Sequence, residues 1–269
     1  MHQIQLLCGK LKGQIEGPGD NDSKLAGMRG VVEWFNAKRD EFRSTIARHV
    51  RTKIPGPGRF VLFGYSDWVL TALDSFAPEV KAASRVIVLE CRNKSVYGED
   101  NVVDYCDGAA YALAVRNRGF VKVSMATDVS LASVLERAAD VGGPTYVLLG
   151  ANGIYQDGAI VSTVGYLTVA LIARHYQTPL YVIAEAEKIV ATPQHAAAGA
   201  PGTGRARETS WLDPQLLLKL ERTHGDTPPV DVYRPLQDIV PAELITAFIT
   251  ENGVDPPDQI GRYAERRPA

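Results

Sequence analysis

Five short apolar runs, rich in branched and aromatic residues and separated by longer stretches of helical spacing, restrict this chain more than any other feature. They are Phe60-Val61-Leu62-Phe63, Val86-Ile87-Val88-Leu89, Phe120-Val121-Lys122-Val123, Tyr146-Val147-Leu148-Leu149 and Leu180-Tyr181-Val182-Ile183-Ala184. Runs of this length that lack polar alternation suit strands buried on both faces. Parallel strands need a crossover between each pair, and the intervening stretches are long enough to supply one as a helix. The pattern predicts an α/β fold built on a parallel sheet. Asp157-Gly158 is a strong turn signal and predicts a small hairpin after the fourth strand.

The flanks read differently. Val31, Val32, Trp34, Phe35, Phe42, Ile46 and Val50 recur at helical spacing and predict a helix over about 28–50. Ile54-Pro55-Gly56-Pro57-Gly58 cannot continue it. A boundary is therefore expected there, giving a helical segment over residues 1–55 and an α/β domain over 56–269. Gly17-Pro18-Gly19-Asp20-Asn21-Asp22 reads as a loop. Residues 191–208, dominated by Ala, Gly, Pro and Arg, read as another. Gly202-Thr203-Gly204 within them is not a dinucleotide fingerprint, since it lacks the third glycine and does not follow a strand. A last helix is predicted from Pro241, with Glu243 in its first turn, to a stop at Gly253.

The formal net charge is -2 across 269 residues, so no broad basic field points to nucleic acid. No apolar run reaches the length of a membrane span, and residues 1–12 lack the apolar core of a secretory signal. Cys8, Cys91 and Cys106 are odd in number and show no metal-ligand spacing. Reduced thiols in a cytoplasm are the expectation, with no metal and no cofactor. His2, His49, His175, His195 and His224 show neither metal nor triad spacing.

Ligands of open parallel sheets bind at the carboxyl ends of the strands, which selects the residues just after each run. After the first come Gly64, Tyr65 and Ser66: either a ligand site with a capping serine before a helix, or only a tight turn. After the second come Glu90, Cys91 and Arg92. Arg92 suits a phosphate or a surface ion pair, and Cys91 is a reactive thiol or a small buried hydrophobe. After the third, Thr127 or Asp128 is expected to cap a helix. After the fourth comes Asn152, a ligand contact or a turn residue. After the fifth come Glu185 and Lys188, a carboxylate and a phosphate-binding ammonium or a solvated pair.

These same stretches carry a resemblance. Phe63-Gly64-Tyr65-Ser66 is similar to the pattern HGYS, and Leu89-Glu90-Cys91-Arg92 with Gly98 to TE-x-RP-x(3)-G. Leu149 through Tyr166, containing Gly150-Ala151-Asn152 and Ser162-Thr163-Val164-Gly165-Tyr166, resembles a segment that begins GAD and ends NK-(I/V)-GT. Pro179 through Lys188 resembles PFYV-x-AES-x-KF, and Val240 through Val254 resembles TP-x-ELIT-x(3)-TE-x-GV. In order, over roughly residues 59–257, the chain resembles the family of initiation factor 2B regulatory subunits, ribose-1,5-bisphosphate isomerases and methylthioribose-1-phosphate isomerases. The resemblance implies a Rossmann-like sheet, a phosphorylated small-molecule ligand (sugar phosphate or nucleotide), and a homodimer or higher homo-oligomer.

It also implies a site. The isomerases carry Cys where this chain has Gly64, Asp where it has Asn152, and Asn-Lys where it has Ser162-Thr163. The cations linked to phosphate persist as Arg92 and Lys188. Asn is no carboxylate base and Gly offers no thiol, so the isomerases' own chemistry is not expected here. Cys91, Asp128, Glu185 and Asn152 remain as catalytic candidates. Gly64, Tyr65, Ser66, Arg92, Asn152, Ser162, Thr163 and Lys188 are the expected ligand contacts. Two classes of function fit: a divergent enzyme acting on a phosphorylated sugar or nucleotide, and a non-catalytic ligand-binding or assembly protein.

Overall fold

All five apolar runs become neighbours in one seven-stranded sheet of the computed structural model. The structure describes residues 10–16, 20–91, 94–97, 102–105, 107–141, 143–190 and 237–263. Helix α1 is described over residues 10–16. It is followed by α2 (Asn21–Lys53), β1 (Arg59–Leu62), α3 (Asp67–Asp74), α4 (Pro78–Ala83) and β2 (Arg85–Leu89). The hairpin β3 (Lys94–Tyr97) and β4 (Val102–Tyr105) precedes α5 (Asp107–Asn117) and β5 (Lys122–Ala126). Then come α6 (Leu131–Val141), β6 (Thr145–Leu149), β7 (Gly153–Tyr155), β8 (Ile160–Thr163), α7 (Tyr166–His175) and β9 (Leu180–Ile183). The chain closes with β10 (Ile189–Val190), β11 (Gln237–Val240), β12 (Ala247–Thr250) and β13 (Gly253–Asp255).

The large sheet has the order β13-β12-β9-β6-β1-β2-β5. Every neighbouring pair runs parallel except β12–β13 at one edge. From β1 the chain moves outward through β2 to β5. It then returns to the other side of β1 and moves outward again through β6, β9 and β12. The strand order reverses between β1 and β6.

Successive residues along the strands serve two separate cores, as a period of two requires. Val61, Phe63, Leu89, Val147, Leu149 and Val182 face the layer that contains Leu131 and Leu135 of α6 and Val169 and Ala173 of α7. Phe60, Leu62, Val86, Val88, Leu148 and Ile183 face the layer of Val50 from α2, Leu70 from α3 and Tyr111 from α5. The strand backbones between the two cores are paired in the sheet, so their N–H and C=O groups are buried at no cost.

Several expectations shift. The third strand lies two residues later than the apolar run suggested, at 122–126, and its side chains are largely exposed because β5 is an edge. The helix expected from 28 to 50 begins earlier, at Asn21, since Asp20 caps it through a 2.8 Å bond from the Ser23 amide. Asn21 and Asp22 are therefore helical, not loop. Only its last turns, with Ile46, Ala47 and Val50, are buried. Trp34 stays 41% exposed, with the Lys10 and Lys38 ammonium groups over its ring.

The final helix predicted from Pro241 to Gly253 does not form. A single 3-10 turn at Ala242–Leu244 leads directly into β12, where Ala247, Phe248, Ile249 and Thr250 are all buried. Pairing with β9 on one side and β13 on the other satisfies both backbone edges of this segment. Burial between two strands outweighs its weak helical pattern. Gly253, at φ 151, follows the turn into β13. The loop expected over residues 191–208 lies outside the described residues.

A second, four-stranded sheet, β10-β7-β8-β11, sits beyond the carboxyl ends of β6 and β9. Its centre is the antiparallel β7–β8 hairpin announced by Asp157-Gly158. Asp157 stabilises that turn by accepting a 3.0 Å bond from the Ala159 amide. From β11, Asp238 reaches the start of α7, where Oδ2 accepts the Gly165 amide at 2.7 Å and the Leu167 amide at 3.1 Å. The N-cap residue of α7 is Gly165, with no side chain of its own, so the cap comes from a distant strand. Asp238→Ala is expected to lower the stability of the protein by about 1–2 kcal/mol, read from urea unfolding.

Candidate functional site at the carboxyl ends of the strands

The reversal between β1 and β6 opens the two strand ends toward each other, and the loops there approach closely. Gly64 follows β1 with φ +68, in the left-handed region. A Cβ on it would lie 2.7 Å from the Tyr166 hydroxyl oxygen and 2.8 Å from the ring. Gly150 follows β6, and a Cβ there would stand 2.6 Å from Ser66 Oγ. Both glycines are fixed by close approach, and Gly64 by its backbone as well. The Ser66 Oγ accepts the Val69 amide at 3.4 Å and so caps α3, as expected from the sequence.

Tyr65 is 46% exposed at the mouth of this region, its ring 5.2 Å from that of Tyr111. Asn152 is exposed, and its amide donates to the Val161 carbonyl at 3.0 Å, which ties the end of β6 to β8. Ser162 is buried on β8 and its side chain hydrogen-bonds Tyr166. Thr163 is half-buried on the same strand, opposite Gln237. Arg92 lies outside the described residues.

Lys188 is held where β6, β9 and β10 converge. Its ammonium donates to the Ala151 carbonyl at 2.8 Å and stands 3.5 Å from Glu185 Oε2. Neither partner is well solvated: the side chains are 23% and 10% exposed. Glu187, in the same turn, pairs with Lys38 of α2 at 3.3 Å. The N-terminal helix thereby reaches the edge of the site. Glu251, beyond β12, accepts the Ala186 amide through both oxygens, at 3.2 and 3.0 Å.

After β2, Cys91 is buried with φ 48, and its amide donates to Asp128 Oδ1 at 2.9 Å. Asp128 thus spans from the end of β5 to the end of β2. The expected cap at Thr127 makes no side-chain hydrogen bond to the short 3-10 turn that follows it, and the aspartate is turned to Cys91. Among the described residues no cluster of His, Cys, Asp and Glu could hold a metal ion, and no helix is long and apolar enough to cross a membrane.

Sequence reasoning placed Gly64, Asn152, Glu185 and Lys188 at strand ends, where the structure puts them. It missed Tyr111, Tyr166, Lys38, Glu187 and Glu251. The two tyrosines lie within helices whose spacing marks them as core, and their coupling across the sheet leaves no trace in local pattern.

A sequence model of the Initiation factor 2 subunit family matches residues 20–257. The chain belongs to that family. Among its curated relatives, the methylthioribose-1-phosphate isomerase of Gemmatimonas aurantiaca is 28% identical over 248 residues, covering 91% of this chain and 65% of that protein. The enzyme of the same name from Parabacteroides distasonis is 30% identical over 148 residues, covering 55% of this chain and 41% of its own length. The chain therefore spans less than two thirds of these relatives. Among solved structures, 5-methylthioribose 1-phosphate isomerase from Pyrococcus horikoshii superposes with a TM-score of 0.67 at 15% identity, covering 98% of this chain and 69% of that one. The translation initiation factor eIF-2B from the same organism gives 0.62 at 20% identity, covering 96% and 76%. These likenesses establish the mixed α/β fold with its largely parallel sheet.

The Glu251 carboxyl is pushed above its ordinary value, first by burial, then by the neighbouring Glu185 and Glu187, against the opposing Ala186 amide. A carboxyl raised in the folded state stabilises the fold when protonated. That contribution is complete below the ordinary value of 4.5 and is lost as pH rises through the raised one. Glu251→Gln keeps an acceptor for Ala186 and never ionises. It is expected to melt above wild type at neutral pH, with the difference vanishing below 4.5 in thermal unfolding scans.

Proposed function

We propose that the carboxyl end of the sheet, between the loops after β1, β6 and β9, binds a phosphorylated sugar or nucleotide. The observation that carries this reading is the Lys188 ammonium, largely buried beside the strand-order reversal and anchored to the Ala151 carbonyl. An ammonium has three donors, so one remains for a phosphate oxygen. At the neighbouring strand ends, Gly64 and Gly150 leave room for Tyr166 and Ser66 to close in, which brings two hydroxyl groups to this end of the sheet. Arg92 is proposed as the second phosphate cation, on the resemblance alone.

The protein is further proposed to be a divergent enzyme that does not carry out the isomerases' aldose–ketose conversion. Gly64 has no titrating group. Asn152 ionises at no ordinary pH, so it cannot take a proton as the corresponding Asp can. If a proton is moved here, Cys91, Asp128, Glu185 and Glu251 are the groups within the region that can carry it. Asp128 is already engaged by the Cys91 amide, and Glu185 by Lys188, which makes each a poorer free base. The second reading is a non-catalytic ligand-binding or assembly protein, similar to the initiation factor subunits. The same two substitutions favour it. In either reading a homodimer or higher homo-oligomer is proposed.

The test is calorimetric titration with ribose 5-phosphate and with adenosine monophosphate. Lys188→Ala removes one charge-assisted contact of about 1.5–3 kcal/mol and is expected to weaken binding by roughly 10- to 100-fold. Unchanged affinity would mean that Lys188 serves only Ala151 and Glu185. Turnover of methylthioribose 1-phosphate or ribose 1,5-bisphosphate at an ordinary enzymatic rate, on the order of 1–10³ s⁻¹, would contradict the proposed divergence.

A further inference from the structure

Two buried phenols lie by the residues that follow β1, one from each face of the sheet. Tyr166, in the first turn of α7, belongs to the core layer of α6 and α7. Tyr111, on α5, belongs to the other layer. The Tyr166 oxygen stands directly over Gly64, 2.7 Å from where a Cβ would be. Hydrogen bonds from the Ser162 side chain and the Gly150 backbone reach that oxygen. These bonds hold the Tyr166 hydroxyl in place at the end of β1, where a phenol can both donate and accept.

Tyr111 is 1% exposed, and its hydroxyl has no hydrogen-bond partner among the described residues. A buried hydroxyl left unpaired is destabilising, and native proteins keep few of them without a reason. Burial first, and then the neighbouring Tyr166, Tyr65 and Asp67, oppose its ionisation, while Arg118 acts the other way. Its ring lies against that of Tyr65, the exposed tyrosine at the mouth.

Both phenols stay neutral. Burial pushes Tyr166 up to about 12 and Tyr111 well above its ordinary value. A neutral O–H is a weak partner for a phosphate compared with an ammonium. It is well suited to the hydroxyl or carbonyl oxygens of a sugar. Buried polar groups of this kind also discriminate strongly, because a ligand lacking the matching oxygen leaves them unpaired.

We propose that Tyr111 and Tyr166 are specificity-determining residues that hydrogen-bond the sugar oxygens of the phosphorylated ligand, while Lys188 takes its phosphate. The proposal rests on the ligand site described above and adds the part of the ligand that the site reads. The unpaired Tyr111 hydroxyl is then satisfied by the ligand, and Tyr166 forms the floor on which the sugar sits.

The experiment compares wild type, Tyr111→Phe and Tyr166→Phe in two measurements: calorimetric titration with ribose 5-phosphate, and thermal unfolding of the ligand-free proteins. Each Phe variant keeps the ring and removes one hydroxyl. Each is expected to bind ribose 5-phosphate about 10-fold more weakly. Ligand-free Tyr111→Phe is expected to melt at or above the wild-type temperature, because it loses a group with no partner. Wild-type affinity in both variants would overturn the assignment of the phenols while leaving the phosphate site standing. A fall of several degrees in ligand-free Tyr111→Phe would also overturn it, since the hydroxyl would then be bonded inside the protein. Wild-type protein that binds no ribose 5-phosphate would overturn the reading of the site itself, a result distinguishable from the other two.

Discussion

The reversal of strand order between β1 and β6 is the constraint on which the molecule depends. Parallel strands present all their carboxyl ends on one side, so the loops after β1, β2, β6, β9 and β12 gather there. At the reversal the chain leaves β1 toward one face and β6 toward the other, the kind of place where open parallel sheets bind ligands. Two close approaches fix the loops there. Ser66 stands against Gly150, and Tyr166 stands over Gly64. A side chain at either glycine would force these neighbours to move, in a core packed at interior density.

The smaller sheet builds onto this end of the large one. The β7–β8 hairpin grows out of the β6 loop, and β10 and β11 pair on either side of it. That pairing carries three groups into place. Ser162 supports the Tyr166 hydroxyl, Lys188 reaches back to Ala151, and Asp238 caps α7. Neutral donors lie toward β1 and charged groups toward β9. Such a division matches a ligand with a neutral, oxygen-rich body and an anionic end.

The sheet was legible because its strands are buried on both faces, and such strands announce themselves as apolar runs. Ser66 as a cap and Asp157-Gly158 as a turn were legible because their physics is local. The β12 strand was not, because Pro241-Ala242-Glu243-Leu244 begins like a helix and only β9 and β13 make Ala247–Thr250 a strand. Asp238 gave no sign of capping a helix more than 70 positions away, since no spacing rule connects a strand residue to a distant helix. Tyr111 and Tyr166 read as core, which they are. Their hydroxyls become informative only once Tyr166 is seen over Gly64 and Tyr111 against Tyr65, at the same strand end.

The central claim is that the strand-order reversal is where ligand binds. Titration of isotope-labelled protein with ribose 5-phosphate, followed by amide chemical shifts in nuclear magnetic resonance, tests it most directly. The account predicts the largest shifts at Gly64, Gly150 and Asn152, with Gly119 and Gly143, which lie before β5 and β6 at the opposite end of the sheet, unmoved. Shifts concentrated at Gly119 and Gly143, with Gly64 and Gly150 unchanged at saturation, would contradict it.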